Sequence, residues 1–163
     1  MKIKRVKDGL VSAIGTTVLI MAATSYSAFG QPTVTPLAPV TQFDEINENL
    51  VNDGWHAKIK TKGISDFHVV EVTIPPGGSL PWHIHLGPSF FIVKSGTATL
   101  YHGDDPTCTP AVVPAGSSLF EPGNDLHIVR NEGTVPLVNV VVQLIPTGAP
   151  RLIPRPAPGN CPF

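Results

Sequence analysis

Residues 76–96 read PGGSLPWHIHLGPSFFIVKSG and place two histidines, His83 and His85, one residue apart in a run that favours strands. Side chains at positions i and i+2 of a strand point to the same face, so the two imidazoles lie about 7 Å apart at the backbone and face the same way. Two such imidazoles can bind one metal ion if another strand supplies a third ligand. The alternative is a pair of histidines at the surface or the edge of the core that binds nothing.

The sequence on both sides of this stretch predicts short strands. Gly, Pro or Asn-Asp clusters separate most of the runs, and the chain holds 18 prolines and 15 glycines in 163 residues. About eight short strands at close spacing are typical of an antiparallel sandwich or barrel. In the first run Trp55, Ala57 and Ile59 alternate with polar residues, which predicts a half-buried strand. The predicted strand regions are 55–61, 66–74, 81–85, 89–95, 97–102, 117–121, 126–131 and 136–145.

The first thirty residues have the pattern of a signal peptide. A basic start, MKIKRVK, precedes the apolar run at 10–23, and small residues predict cleavage between Gly30 and Gln31. The alternative is an uncleaved anchor, and the absence of cysteine from residues 1–30 argues against a lipoprotein. We therefore expect a periplasmic or secreted protein with no stable membrane anchor after cleavage.

The remaining chain divides into three parts. Residues 31–54 form an extended arm, with a short helix possible at 41–54 because apolar residues recur there at helical spacing. The strand-rich domain covers 55–146, and the proline-rich tail at 147–163 is expected to wrap the outside. Export makes a disulfide between Cys108 and Cys161 the natural expectation, with two free thiols as the alternative.

The charge of the chain excludes one class of function. The net charge is −1 and the sequence pI is about 6.6, with no cluster of Lys and Arg in the part that follows the leader. A nucleic-acid-binding surface needs such a cluster. The expected partner is a small molecule rather than a nucleic acid.

Two spaced motifs resemble those of the cupin family. The spacing from Gly77 through His83, His85 and Ser89 to Gly96 resembles the first cupin motif, G-x5-H-x-H-x3,4-E-x6-G. Residues 116–131 resemble the second, G-x5-P-x-G-x2-H-x3-N. The resemblance implies an all-β, single-domain antiparallel jelly-roll barrel. It also implies a divalent metal ion inside the barrel, held by residues at the positions of His83, His85 and His127.

The chain departs from the two motifs at two positions. Asn124 replaces a glycine, and asparagine tolerates the left-handed backbone conformation that the turn needs. Ser89 stands where the family has its acidic ligand, and the nearest downstream acids, Asp104 and Asp105, lie in a turn expected to be solvated. We therefore expect three neutral imidazoles with no carboxylate, a site whose uncompensated charge favours an anionic or enolate-like ligand. Ser89 either donates a hydrogen bond in the site or simply fits the strand.

Other side chains are candidates for contact with a ligand. Phe91 and Val93 share a strand face with Ser89 and are expected to line the cavity near the metal. Gln143 interrupts an apolar strand and either reaches the cavity or lies on the outer face. The candidate ligand-contacting residues are Ser89, Phe91 and Gln143. We expect His68 to be a core histidine and His102 to be exposed.

The resemblance leaves several functions open. The metal is one of Fe, Zn, Cu, Ni or Mn. Three histidines with open positions resemble the cysteine dioxygenase and acetylacetone dioxygenase branches of the cupins, which implies a metal-dependent oxygenase acting on a small chelating substrate. The alternatives are a non-catalytic module that binds a metal or small ligand, and a structural cupin that has lost its metal. A homodimer is implied by the resemblance alone.

Overall fold

The computed structural model describes residues 30–163, so the predicted signal peptide at 1–30 lies almost wholly outside the described residues. Within this range the chain forms strands and no helix. None of its elements is a helix long and apolar enough to cross a membrane. The strands are β1 (Thr33–Pro36), β2 (Thr41–Phe43), β3 (Asn47–Asn52), β4 (Trp55–Lys60), β5 (Ser65–Ile74), β6 (His83–Ile84), β7 (Ser89–Ser95), β8 (Thr97–His102), β9 (Ala111–Pro114), β10 (Ser118–Glu121), β11 (His127–Arg130), β12 (Leu137–Pro146) and β13 (Ile153–Pro154).

Two antiparallel sheets face each other across the core. The larger has the order β1-β5-β12-β7-β10, with β2 also paired to β5, and the smaller has the order β13-β6-β11-β8-β9. Side chains in β5, β7 and β12 alternate between the interior and the outside, as expected for strands with one covered face. This arrangement confirms the predicted all-β jelly-roll fold. The core between the sheets contains Val70, Val72, Ile74, Phe91, Val93, Ala98, Leu100, Val113, Val129, Leu137 and Val141.

Two motif residues that are not candidate ligands have structural roles. Gly96 has φ of 75° in the turn between β7 and β8, and an added Cβ would lie 2.7 Å from the carbonyl oxygen of Pro136. Asn131 is buried, and its Nδ2 donates to the carbonyl oxygens of Ile74 and Val135, each at 2.8 Å. The motifs therefore fix turns of the barrel as well as positioning the histidines.

The short helix expected at residues 41–54 is wrong. Its residues form β2, which pairs with β5, and β3, which pairs with β4. Asn52 lies opposite Trp55 across the two-residue loop Asp53-Gly54, and an Asp-Gly pair is a strong hairpin signal that the helical spacing obscured.

The strand predicted from Trp55 onward is present, but it is not half-buried. The β3–β4 hairpin pairs with neither large sheet, and Trp55 and Ile59 are 58% and 46% exposed. The alternation in this strand therefore marks an apolar face that nothing covers within residues 30–163.

The proline-rich tail lies at the edge of the smaller sheet. Its strand β13 pairs with β6, so that Ile153 lies opposite Ile84. A disulfide joins Cys108 to Cys161, with the two Cα atoms 5.2 Å apart, inside the range that a disulfide requires. The predicted pairing of the cysteines is confirmed, and it ties the end of the tail to the barrel.

Candidate metal centre

The three predicted histidine ligands come together inside the barrel. His83 and His127 are directly opposite each other on β6 and β11, and His85 follows the end of β6. Their ring centroids are 4.3 to 5.2 Å apart, and their ligand nitrogens fall within 4.8 Å of one another. All three side chains are buried. The prediction of a three-histidine cluster is confirmed.

Backbone carbonyl oxygens fix the orientation of each imidazole. A carbonyl oxygen can only accept, so the Nδ1 atoms of His83 and His127 carry the proton and their Nε2 atoms keep the lone pair. Nδ1 of His85 lies 3.0 Å from Nε2 of Gln143 as well as 2.7 Å from the Arg151 carbonyl oxygen, and the shorter contact with an obligate acceptor places the proton on Nδ1 there too. This tautomer is the one that binds a metal through Nε2, with the other nitrogen held by a carbonyl. The Nδ1 atoms donate to the carbonyl oxygens of Pro81 (His83, 2.7 Å), Arg151 (His85, 2.7 Å) and Asp125 (His127, 2.9 Å).

The imidazoles of His83 and His127 are also kept neutral. Burial, ahead of the neighbouring His127, lowers the pKa of His83 to about 3. Burial likewise lowers the pKa of His127, whose Nε2 is fully buried and has no hydrogen-bond partner. A buried lone pair without a donor is an unmet requirement that a metal ion satisfies. The donor set therefore fits a divalent metal ion.

The expectation that no carboxylate lies near the histidines is wrong. Glu121, at the end of β10, is only 3% exposed. One of its carboxylate oxygens lies 3.4 Å from Nε2 of His85 and the other lies 3.4 Å from Nε2 of His127. Burial alone would raise the pKa of Glu121, but the contributions of His85, His127 and Ser89 outweigh it and the pKa is lowered. An ionised carboxylate therefore faces the cluster.

Glu121 belongs to a row of polar residues that crosses the larger sheet. Ser89 on β7 lies directly opposite Glu121 on one side and Gln143 on the other, and Gln143 lies opposite His68. Three of these four residues, His68, Ser89 and Gln143, stood out in the sequence. The available signal for Glu121 was its strand phase, because it shares a face with Leu119 in the predicted strand.

Ser89 and Gln143 both lie inside the barrel. The Ser89 side chain is completely buried, and its hydroxyl lies near the Glu121 carboxylate without forming a hydrogen bond of ordinary geometry. Gln143 lines the cavity, so the alternative placement on the outer face is wrong.

Gln143 links the tail to the histidine cluster. Its Nε2 donates to the carbonyl oxygen of Arg151 at 3.2 Å, and Nε of Arg151 donates to its Oε1 at 2.9 Å. The same Arg151 carbonyl accepts the Nδ1 proton of His85. Gln143 therefore positions the group that orients His85, and the tail is part of the site.

The cluster opens on a cavity of about 60 Å³. Phe91 and Arg151 line it, whereas Val93 is buried in the hydrophobic core and does not. Asn139 also lines the cavity, and both polar atoms of its buried amide lack hydrogen-bond partners. Asn139 was not predicted as a cavity residue, although it lies on the same strand face as Val141 and Gln143. The cavity thus combines apolar walls with polar side chains, among them Glu121, Asn139, Gln143 and Arg151.

The other residues singled out in the sequence lie outside the cluster. His68 is partly buried with Nε2 unpartnered, and His102 is partly exposed with its Nδ1 3.1 Å from Asp125. Asn124 has φ of 65°, which is the left-handed conformation expected at the motif glycine. Its substitution for glycine leaves the turn before β11 in place.

Comparison with known proteins agrees with the motifs. Residues 70–143 match the family described as Cupin domain. No curated protein matches the chain.

Several solved structures are similar in shape. A cupin superfamily protein from Desulfitobacterium hafniense DCB-2 is 15% identical, with 85% of this chain and 99% of that chain covered and a TM-score of 0.49. TT1209 from Thermus thermophilus is 19% identical over 71% of this chain and 84% of that chain, with a TM-score of 0.47. The DMSP lyase DddQ from Ruegeria pomeroyi DSS-3 is 18% identical over 57% of this chain, with a TM-score of 0.49. This chain spans only 45% of that lyase.

Proposed function

We propose that this chain, whose residues 70–143 match the family described as Cupin domain, binds a divalent metal ion and acts as a metal-dependent oxygenase on a small, anionic, chelating substrate. The observation that carries the proposal is the set of three buried imidazoles, each with Nδ1 bonded to a carbonyl and Nε2 left free. His83, His85 and His127 would hold the ion. When bound, a redox-active ion such as Fe(II) would supply the chemistry that a reaction with O2 requires.

The cavity supports a small anionic substrate. The guanidinium of Arg151 remains charged even though burial lowers the pKa of Arg151. It can therefore pair with a carboxylate or enolate oxygen of a ligand in the cavity. The buried amide of Asn139 has both a donor and an acceptor free for the same ligand. Phe91, Val72 and Val141 form apolar walls of this cavity, and a low local dielectric strengthens both polar contacts.

One observation favours the alternative, a non-catalytic module that captures a small ligand. The cavity of about 60 Å³ admits only a few non-hydrogen atoms, which suits a small anion bound at the metal. Binding without turnover separates the two functions.

The test begins with metal analysis of protein purified from its native compartment, where we expect about one equivalent of metal. Oxygen consumption is then measured with a set of small diketones and thiols. Turnover that is lost on chelation and restored by one metal supports the oxygenase. Ligand binding that needs Arg151 and Asn139 but consumes no O2 supports the binding module. Absence of stoichiometric metal contradicts both.

We also propose that the chain is exported with cleavage after Gly30. The disulfide between Cys108 and Cys161 supports an oxidising compartment. Mass spectrometry of the mature protein should give an N-terminus at Gln31. An intact N-terminus on the mature protein would contradict the cleavage.

A further inference from the structure

We propose that Glu121 is the fourth ligand of the metal and replaces, from a neighbouring strand, the acidic ligand that the first motif lacks at Ser89. This inference rests on the proposed metal site and names a ligand at a position that neither motif specifies. It changes the expected donor set from three imidazoles to three imidazoles and one carboxylate.

The contacts of Glu121 are unfavourable without a cation. The carbonyl bonds at Nδ1 leave the Nε2 atoms of His85 and His127 as acceptors. The carboxylate of Glu121 is also an acceptor, and it faces both atoms at 3.4 Å. Acceptors turned toward one another in a buried site repel, and a carboxylate buried in this way is normally paired or bound to a metal. A cation between the three groups removes the repulsion.

The distances match shared coordination better than hydrogen bonding. A charge-assisted hydrogen bond would bring nitrogen and oxygen to about 2.7–2.9 Å. Two ligand atoms that are each about 2.1 Å from one ion lie about 3.0 Å apart at a right angle and about 3.4 Å apart at the tetrahedral angle. The separation of 3.4 Å between Oε2 of Glu121 and Nε2 of His85 matches the tetrahedral value, and so does the separation of 3.4 Å between Oε1 and Nε2 of His127, so each oxygen is placed to share an ion with one histidine.

The sheet register explains how a glutamate on either β7 or β10 can supply the carboxylate at the same place. Glu121 and Ser89 lie directly opposite each other on β10 and β7, and both side chains point inward. Directly opposed side chains have Cβ atoms about 4.5–5.5 Å apart, so a glutamate at either position can deliver its carboxylate to the same region. The small Ser89 side chain leaves this region to Glu121.

The first experiment compares metal affinity of the whole mature protein with that of its Glu121→Gln variant, with Zn(II) and Co(II) as probes. Isothermal calorimetry gives the affinity, and the visible spectrum of bound Co(II) reports the ligand set. We expect Glu121→Gln to weaken binding by about 10-fold or more and to change the Co(II) spectrum. Glu71→Gln is the matched control, because Glu71 lies on the outer face of the same sheet and pairs with Lys94. It should change neither quantity.

A second variant moves the carboxylate back to the motif position. The double substitution Ser89→Glu with Glu121→Ser should recover most of the lost affinity. The uncharged counterpart, Ser89→Gln with Glu121→Ser, should not. This comparison also tests whether a carboxylate is a ligand if Glu121→Gln fails to fold, because both double variants keep one long side chain in the pair formed by positions 89 and 121.

The outcomes separate this inference from the proposed function. If the wild type binds metal and Glu121→Gln binds it equally well with the same spectrum, Glu121 is not a ligand and the three-histidine site stands. If folded Ser89→Glu with Glu121→Ser binds no better than its uncharged counterpart, the exchange between strands is wrong. If the wild type binds neither Zn(II) nor Co(II), the proposed metal site fails and this inference fails with it.

Discussion

His83 shows how burial of an imidazole makes stability depend on pH. The folded pKa of His83 is lowered from about 6.5 to about 3, so the unfolded chain takes up a proton that the folded protein does not. Stability of the metal-free protein is therefore greatest above about pH 6.5 and is lost progressively as the pH falls toward 3.

We expect chelator-treated protein to lose about 1.4 kcal/mol of unfolding free energy per pH unit from this histidine between pH 6 and 4. Urea denaturation at several pH values measures the slope. The slope should be smaller in His83→Gln, which lacks the titrating group. An equal slope in wild type and His83→Gln would contradict this account.

Gln143 is a positioning residue whose effect should reach the metal through His85. Gln143→Leu keeps most of the side-chain volume but removes both hydrogen bonds to Arg151, which frees the carbonyl that orients His85. We expect metal affinity to fall by about 10–100-fold with the fold intact. Calorimetry with Zn(II) measures the loss. Gln42→Leu, on the exposed strand β2, is the control, and equal affinities in all three proteins would contradict a positioning role.

At the scale of the elements, the two tryptophans test the contrast between the hairpin and the barrel. Trp82 is 6% exposed and packs with Tyr101 and Ile128, whereas Trp55 is 58% exposed on the β3–β4 hairpin. Trp82→Ala should cost about 3–5 kcal/mol of unfolding free energy. Trp55→Ala should change it by no more than about 0.5 kcal/mol. Denaturant unfolding gives both values, and a large cost at Trp55 would show that the hairpin is covered in solution.

Strand composition and the turn residues between the strands predicted the barrel, and spacing predicted the hairpin poorly. Burial alternates along β5, β7 and β12, but β7 and β12 carry apolar residues on both faces, so these strands were recognised as short strand-forming runs bounded by turn residues. Helical spacing at Phe43, Ile46 and Leu50 is accidental. These residues lie in or beside the short strands β2 and β3, where no buried face determines which positions are apolar. The Asp53-Gly54 loop was the better guide.

The histidine cluster was predictable from the sequence, but the position of the Glu121 carboxylate beside it was not. His83, His85 and His127 lie in motifs that record positions along the chain. Glu121 reaches the site because β10 pairs with β7 in a particular register. The sequence of one strand does not determine its register with a neighbouring strand. Asn139 was missed in the same way, because only the fold shows that its face of β12 lines the cavity.

At the scale of the whole molecule, the disulfide closes the chain over a sequence separation of 53. In the chain-entropy model a loop of this size stabilises the fold by roughly 4 kcal/mol. Reduction should lower the melting temperature by on the order of 10 °C and expose the tail to proteolysis. Metal binding should persist, because pairing of β13 with β6 still holds Arg151 beside His85.

Differential scanning calorimetry with and without reductant measures this effect. The variant Cys108→Ser with Cys161→Ser should melt at the lower temperature in both conditions. A reductant-independent melting temperature in the wild type, or two thiols that alkylate without reduction, would contradict the role assigned to the disulfide.

The pairing of Ser89 with Glu121 also bears on how such sites evolve. Two single substitutions exchange the position of the carboxylate, and the intermediate with glutamate at both positions never lacks an acid. Every protein along such a path keeps at least one acidic side chain beside the histidines, so selection for metal binding does not oppose it. A homologue that has lost the acid of the first motif can therefore descend from an unbroken line of metal-binding proteins, and the residue before the proline of the second motif is where its replacement should be sought.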